Sequence, residues 1–422
     1  MRFYLLFFVF CFCICTSFAQ QLIMATDPGS AGFSSERLDR IDKAMNDWVK
    51  QGYTNGCVGM IVYKGKIVYH KAAGYNDIEN KTPLSKDAIF RIASQTKAIT
   101  SVAAMILFEE GKFLLDDAVG KYIPSFQNQV VIDKFNLADS SYTTVPAKRN
   151  VTIRDLLTHT SGIGYASIGT KEATAIYAKN KITVGLNVNG ESLLQAMTRL
   201  GSLPLMFQPG EKWMYGLNTD LLGALVEVWS GMSLEAFFTS RIFQPLGMND
   251  TYFNIPPEKA SRLVNLYSVD SLGHLVHKPD STLVSDLNYP LRKNTYFSGG
   301  ASLSSTLKDY AIFLQMLLNG GAYNGQRILS ANSVRLMTSN QIGKIDFGTE
   351  KFGLGFALVT DQSAGEYPTN VGTFAWGGAF ATSYWADPKE NMIILFYKQI
   401  LPDPHGELSK KFLVMAYAAL NE

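Results

Sequence analysis

The chain has 422 residues, 47% apolar and 18% charged, with a net charge of +2. That composition can bury a sizeable core, which excludes a disordered chain and a small disulfide-stapled scaffold, and the near balance of charge excludes an electrostatic nucleic-acid binder. His70, His159, His274, His277 and His405 are scattered, with no CxxC and no HExxH, so no metal or other cofactor is expected.

At the N-terminus Arg2 precedes an apolar run, Phe3–Cys15, and Ser17-Phe18-Ala19 follows with small residues at the positions that matter for cleavage. This is the plan of a secretory signal peptide, and the run is shorter than the roughly 20 apolar residues of a spanning helix. Cys11, Cys13 and Cys15 follow large residues, which argues against lipid attachment. Residues 1–19 are therefore read as a signal peptide and 20–422 as one catalytic unit. The mature protein is expected in the periplasm, free of the membrane. It keeps one cysteine, Cys57, so no internal disulfide forms.

The spacing of Leu38, Ile41, Met45 and Trp48 behind Ser34-Ser35-Glu36 predicts a capped helix over 34–52. Cys57–Tyr63 and Ile67–Lys71, joined by Lys64-Gly65-Lys66, predict a hairpin. A strand-like Ile89–Ile92 leads to Ser94, and a strongly apolar helix then runs through Ile99 and Leu107 to Gly111. From about 116 to 289, helix-like pieces alternate with polar loops, and Leu221–Trp229 and Leu234–Phe243 are the clearest helices. Ser304–Gly320 reads as another helix, capped by Ser304 or Ser305. Phe356–Val359, Thr373–Trp376, Ala381–Ala386 and Met392–Lys398 read as strands, and Lys410–Leu420 as a last helix. Strands at both ends and helices between them predict an α/β (α+β) fold. Residues 20–115 and 290–422 would build a sheet flanked by helices, with a mainly helical region, 116–289, inserted.

Ser94-Gln95-Thr96-Lys97 opens the apolar helix. Residues three apart share a helix face, with Cβ atoms roughly 5–6 Å apart. A serine becomes a nucleophile when a nearby base takes its proton. A lysine can serve if burial and the positive helix end lower its pKa. Backbone N–H groups at the same helix start can hold an oxyanion. The letters alone are weak, because Ser305-Thr306-Leu307-Lys308 matches them too and reads as a helix cap followed by an exposed lysine. Likewise Ser330-Ala331-Asn332 reads as a helix cap.

In context, Ser94-Gln95-Thr96-Lys97 resembles the first motif of the serine β-lactamase and penicillin-binding protein superfamily. Further segments resemble its class C and esterase-like branch, in family order. They are Leu156-Leu157-Thr158-His159-Thr160-Ser161-Gly162, Pro209-Gly210-Glu211-Lys212-Trp213-Met214-Tyr215 with Asp220-Leu221-Leu222-Gly223, Ser298-Gly299-Gly300-Ala301-Ser302-Leu303, and Trp376-Gly377-Gly378-Ala379. The resemblance spans nearly all of 20–422 and implies a β-lactamase/transpeptidase-like fold with an antiparallel sheet.

It also implies roles. Ser94 is the expected nucleophile, Lys97 its base, and Tyr215 the tyrosine that helps move protons. The N–H groups of Ser94 and Ala379 form the oxyanion hole, and Trp376, Gly377, Gly378 and Asn218 meet the substrate. Two departures stand out. The usual Tyr-x-Asn has Leu217 in the asparagine place, with the amide one residue later at Asn218. Literal matches at Tyr53-Thr54-Asn55 and Tyr252-Phe253-Asn254 lie in the wrong context. In the third motif Trp376 stands where many relatives carry a cation that holds a substrate carboxylate. This favours a secreted serine hydrolase acting through an acyl-enzyme on esters or small amides. The alternatives are a β-lactamase or D-amino-acid peptidase acting on cell-wall peptides, and a penicillin-recognising sensor that acylates without turnover. His159 is read as a structural loop residue, since no Gly-x-Ser-x-Gly elbow accompanies it.

Overall fold

The computed structural model describes residues 21–166, 168–183, 185–186, 190–278 and 286–421; the expected signal peptide lies outside them. The two ends of the chain build one sheet. Its strands run in the order Ile23–Met24, Lys66–Asp77, Gly56–Tyr63, Met392–Tyr397, Thr382–Asp387, Phe374–Gly378, Ala357–Leu358 and Lys351–Phe352, and Thr82–Pro83 pairs with Lys66–Asp77. Every pairing is antiparallel except that of Ile23–Met24. The halves join at the centre, where Met392 faces Tyr63 and Tyr397 faces Val58.

The central strands are apolar throughout because both faces are covered. Cys57, Ile61, Ile394 and Phe396 face one core, shared with helices Ser35–Lys50 and Glu407–Ala419. Val58, Met60, Ile393 and Leu395 face the other, shared with helices Thr96–Glu109 and Leu307–Leu318. Gly59 is required here, since a Cβ would stand 2.4 Å from the Phe412 ring. Cys57 is fully buried, which pushes its thiol pKa up to about 12 and leaves it an unreactive core residue.

Helix Thr96–Glu109 is buried nearly all round, as a helix apolar on every face must be. Between the sheet halves lie helices Ile153–Thr158, Lys171–Lys179, Leu193–Leu200, Asn218–Ser230 and Leu234–Phe238, with a hairpin of Val130–Phe135 and Tyr142–Pro146. The expected helix over Ser304–Gly320 starts later. Ser304 and Ser305 form a short strand against Arg91 and Phe90, and Thr306 caps the helix by accepting from the Asp309 N–H. Among the described residues no single helix is long and apolar enough to cross a membrane.

Candidate active site

Ser94 sits half-buried in a tight turn, Ala93–Gln95, that runs straight into helix Thr96–Glu109. Ala93 has φ +42°, a left-handed conformation that costs a non-glycine residue energy. Neighbours hold the turn in place. Tyr310 donates to the Gln95 carbonyl at 2.9 Å, Tyr397 donates to the Gln95 side chain, and Thr96 Oγ1 accepts from the Leu303 N–H at 3.2 Å. One helical turn on, Lys97 is buried, with 3% of its surface exposed. Its Nζ donates to Tyr165 Oη at 3.0 Å and to the Gly300 carbonyl at 2.8 Å, and lies 4.5 Å from the centre of the Tyr215 ring.

These contacts run against the expected fall in the Lys97 pKa. Burial pushes its pKa down, but the oxygens of Tyr165, Tyr215 and Asp220 outweigh burial and hold it above the ordinary lysine range. Burial also raises the Tyr165 phenol, and Lys97 only partly offsets that. Lys97 thus stands as a buried cation beside the Tyr165 phenol.

The opposite wall is the strand Phe374–Gly378. Gly378 lies so close to the serine turn that a Cβ would stand 2.3 Å from the Ile92 carbonyl and 2.4 Å from Thr382 Oγ1. The glycine is what lets this strand approach the turn. Ser94, Tyr215, Trp376, Gly377, Gly378 and Ala379 line one cleft of about 510 Å³. The Trp376 indole N–H donates to Tyr215 Oη at 3.5 Å. Lys398 also borders the cleft, but its Nζ is 2.7 Å from Asp403 and its side chain only 1% exposed. A larger hollow of about 980 Å³ near Lys181, Ser192 and Arg199 offers no comparable chemistry. Ser192 caps a helix there and Lys181 is exposed. Among the described residues no group of acids, histidines and cysteines could hold a metal.

Asn218 is not brought to the cleft, contrary to expectation. It is fully buried; its Oδ1 accepts from Ser161 Oγ, and its Nδ2 lies 3.0 Å from His159 Nδ1. The one-residue offset from Tyr-x-Asn turns the amide into the protein. His159 ends helix Ile153–Thr158 in a left-handed conformation, and burial, with help from the Lys97 charge, holds its pKa well below the usual histidine range. Neither Tyr53 nor Tyr252 lines the cleft: Tyr53 stacks on His405 at 4.1 Å, and Tyr252 bonds Lys259.

Sequence reasoning missed three participants. Tyr165 lies three residues beyond the Leu156–Gly162 segment, and only packing brings it to Lys97. Asp220 and Gly300 stood inside quoted motifs without roles; one supplies a carboxyl whose pKa burial raises and the Lys97 charge draws back down, and the other a backbone carbonyl.

The family model described as Beta-lactamase matches residues 41–419. Protein Rv1367c of Mycobacterium tuberculosis is 32% identical over 381 residues, covering 87% of this chain and 91% of the relative. Esterase EstB of Burkholderia gladioli is 30% identical over 368 residues, covering 84% and 88%. The structure of EstCE1, described as a hydrolase with promiscuous acyltransferase activity, superposes with a TM-score of 0.77 at 24% identity, covering 92% of this chain and 99% of that one.

Proposed function

The chain belongs to the Beta-lactamase family, and from that premise we propose that it is a serine hydrolase that forms an acyl-enzyme at Ser94, acting on esters or small amides. The observation that carries the reading is the single cleft in which Ser94 and Tyr215 face Trp376–Ala379, with the buried Lys97 beneath. Ser94 Oγ attacks the substrate carbonyl as its proton passes to Tyr215 Oη, whose ring centre lies 4.5 Å from Lys97 Nζ. Tyr215 then delivers the proton to the leaving group. The N–H groups of Ser94 and Ala379 hold the developing oxyanion. Water enters by the same route, and Tyr215 accepts its proton and returns it to Ser94 Oγ as the bond to the acyl group breaks.

The substrate preference follows from the walls. Trp376 takes the place where a cation would meet a substrate carboxylate, and the charge of Lys398 is already matched by Asp403. Neutral acyl groups therefore suit the cleft better than β-lactams or D-alanyl peptides. The test compares a short p-nitrophenyl ester, nitrocefin and a D-alanyl dipeptide, with intact mass to detect the adduct. Ester turnover that vanishes in Ser94→Ala is expected. Fast nitrocefin turnover would overturn the reading of Trp376, and a burst ending in a trapped adduct would point to a sensor. We also read the protein as secreted to the periplasm, on the strength of the leader pattern in residues 1–19; N-terminal sequencing of the mature protein, expected to begin at Gln20, tests this.

A further inference from the structure

Asp220 lies in the first turn of helix Asn218–Ser230, with 1% of its surface exposed. It does not border the cleft. Its Oδ1 accepts from Ser298 Oγ and, at 3.4 Å, from Tyr296 Oη. Its Oδ2 has no side-chain partner among the described residues and is met by the Gly300 backbone N–H. That oxygen points at Gly300, where a Cβ would stand 2.4 Å from Asp220 Oδ2 and 3.3 Å from Lys97 Nζ. The carboxylate and the ammonium thus flank one glycine, within the roughly 4–6 Å over which opposite charges favour each other's ionised form. The Gly300 carbonyl, 2.8 Å from Nζ, completes the bridge.

A buried ammonium without a counter-charge is costly. The other titratable groups that face Lys97 are the phenols of Tyr165 and Tyr215 and the neutral imidazole of His159. Asp220 in turn faces Lys97, Tyr165 and Tyr296. Behind Tyr296 lie Glu191 and Arg199, which pair with each other.

We infer that Asp220 is the positioning residue of this site, a buried carboxylate that keeps Lys97 an ammonium and so assigns the proton of Ser94 to tyrosine rather than to lysine. The inference rests on the acyl-enzyme reading above. Gly300 follows from it, because any side chain there would wedge the two charges apart.

The sign of the effect is fixed. Taking away the negative charge makes Lys97 and the neighbouring Tyr165 release protons more readily. The rising limb of kcat/KM against pH must then move to lower pH. A merely structural role would lower kcat/KM and leave the limb in place.

The experiment uses the full mature chain, a p-nitrophenyl ester over a pH series, and a phosphonate ester whose adduct is located by intact mass and peptide mapping. Asp220→Asn preserves shape and removes the charge. Its limb is expected about one pH unit below the wild type's, a tenfold change in the proton equilibrium. Gly300→Ala keeps the carboxylate but displaces it, and is expected to move the limb the same way by less. Thermal melting identifies which variants fold, and the limb is read from those. A limb that stays put would overturn the inference while Ser94 labelling in the wild type upholds the acyl-enzyme reading. Failure of the phosphonate to label wild-type Ser94 would overturn both.

Discussion

Two segments of this protein spell the same pattern and lead different lives. Ser94-Gln95-Thr96-Lys97 and Ser305-Thr306-Leu307-Lys308 each place a serine three residues before a lysine at the start of an apolar helix. They are also neighbours, because the strand Phe90–Arg91 just before Ser94 pairs with Ser304–Ser305. In the first segment a left-handed Ala93 turns the serine into a cleft, and the lysine is buried against Tyr165 and Gly300. In the second the serine is buried and bonded to Thr251 at 2.7 Å, and the lysine is exposed. Chemistry thus depends on what receives the lysine. A nucleophile motif is completed by residues far away in sequence.

The largest test of that contrast removes each serine. Ser94→Ala is expected to lower ester turnover by roughly 10⁴-fold or more, on the scale seen when a serine nucleophile is deleted. Ser305→Ala should keep turnover within twofold and cost about 1 kcal/mol of stability for its lost hydrogen bond. Steady-state kinetics and denaturant melts separate the two. Equal losses of activity would erase the distinction.

The lysines and tyrosines come next. Lys97→Met is expected to cost roughly 10²–10⁴-fold in kcat/KM, the range for removing a positioned group from proton transfer. Lys308→Met should change it less than twofold. Tyr215→Phe belongs with Lys97→Met. Tyr165→Phe should cost about tenfold, because it loosens Lys97 without removing the oxygen that borders the cleft. A Tyr165→Phe loss as large as that of Tyr215→Phe would exchange the roles of the two tyrosines.

What the sequence disclosed follows the same division between local and distant. The strands near 56–63 and 392–397 were legible because strands covered on both faces are apolar throughout. The first helix was legible from Ser34 and the period of Leu38, Ile41, Met45 and Trp48. Ser304 and Ser305 were misread, since a two-residue strand carries no period and serine before an apolar run looks like a cap. Ser94 and Lys97 could be found because their relation is set within one helical turn. Tyr215 and Trp376–Ala379 came through the order of motifs. Tyr165, Asp220 and the Gly300 carbonyl act through packing between distant segments, which no spacing records. Asn218 failed because one extra residue turns a side chain away from the face a motif implies. The expected fall in the Lys97 pKa failed for a related reason: burial was foreseeable, but the oxygens that outweigh it come from elsewhere in the chain.

The smallest effect lies beside the second motif and concerns stability alone. Asp309 follows Lys308 directly, is 5% exposed, and accepts from the Asp250 N–H and from Thr251 Oγ1. Burial, reinforced by the nearby Asp250 carboxylate, raises its pKa to about 6, against the opposing pull of those two donors and of Lys308. The folded protein therefore binds this proton more tightly than the unfolded chain. Stability from this group is complete below the unfolded value near 4 and is lost as pH rises through about 6. The loss is on the order of 1–3 kcal/mol. Asp309→Asn retains an acceptor for both donors and carries no charge to bury. It should flatten the stability curve between about pH 4 and pH 6 and make the variant the more stable of the two at pH 8, with ester turnover unchanged. Urea melts across that range read the difference. A wild-type curve already flat there would mean that water reaches Asp309, and the second segment would then be less deeply packed than the first.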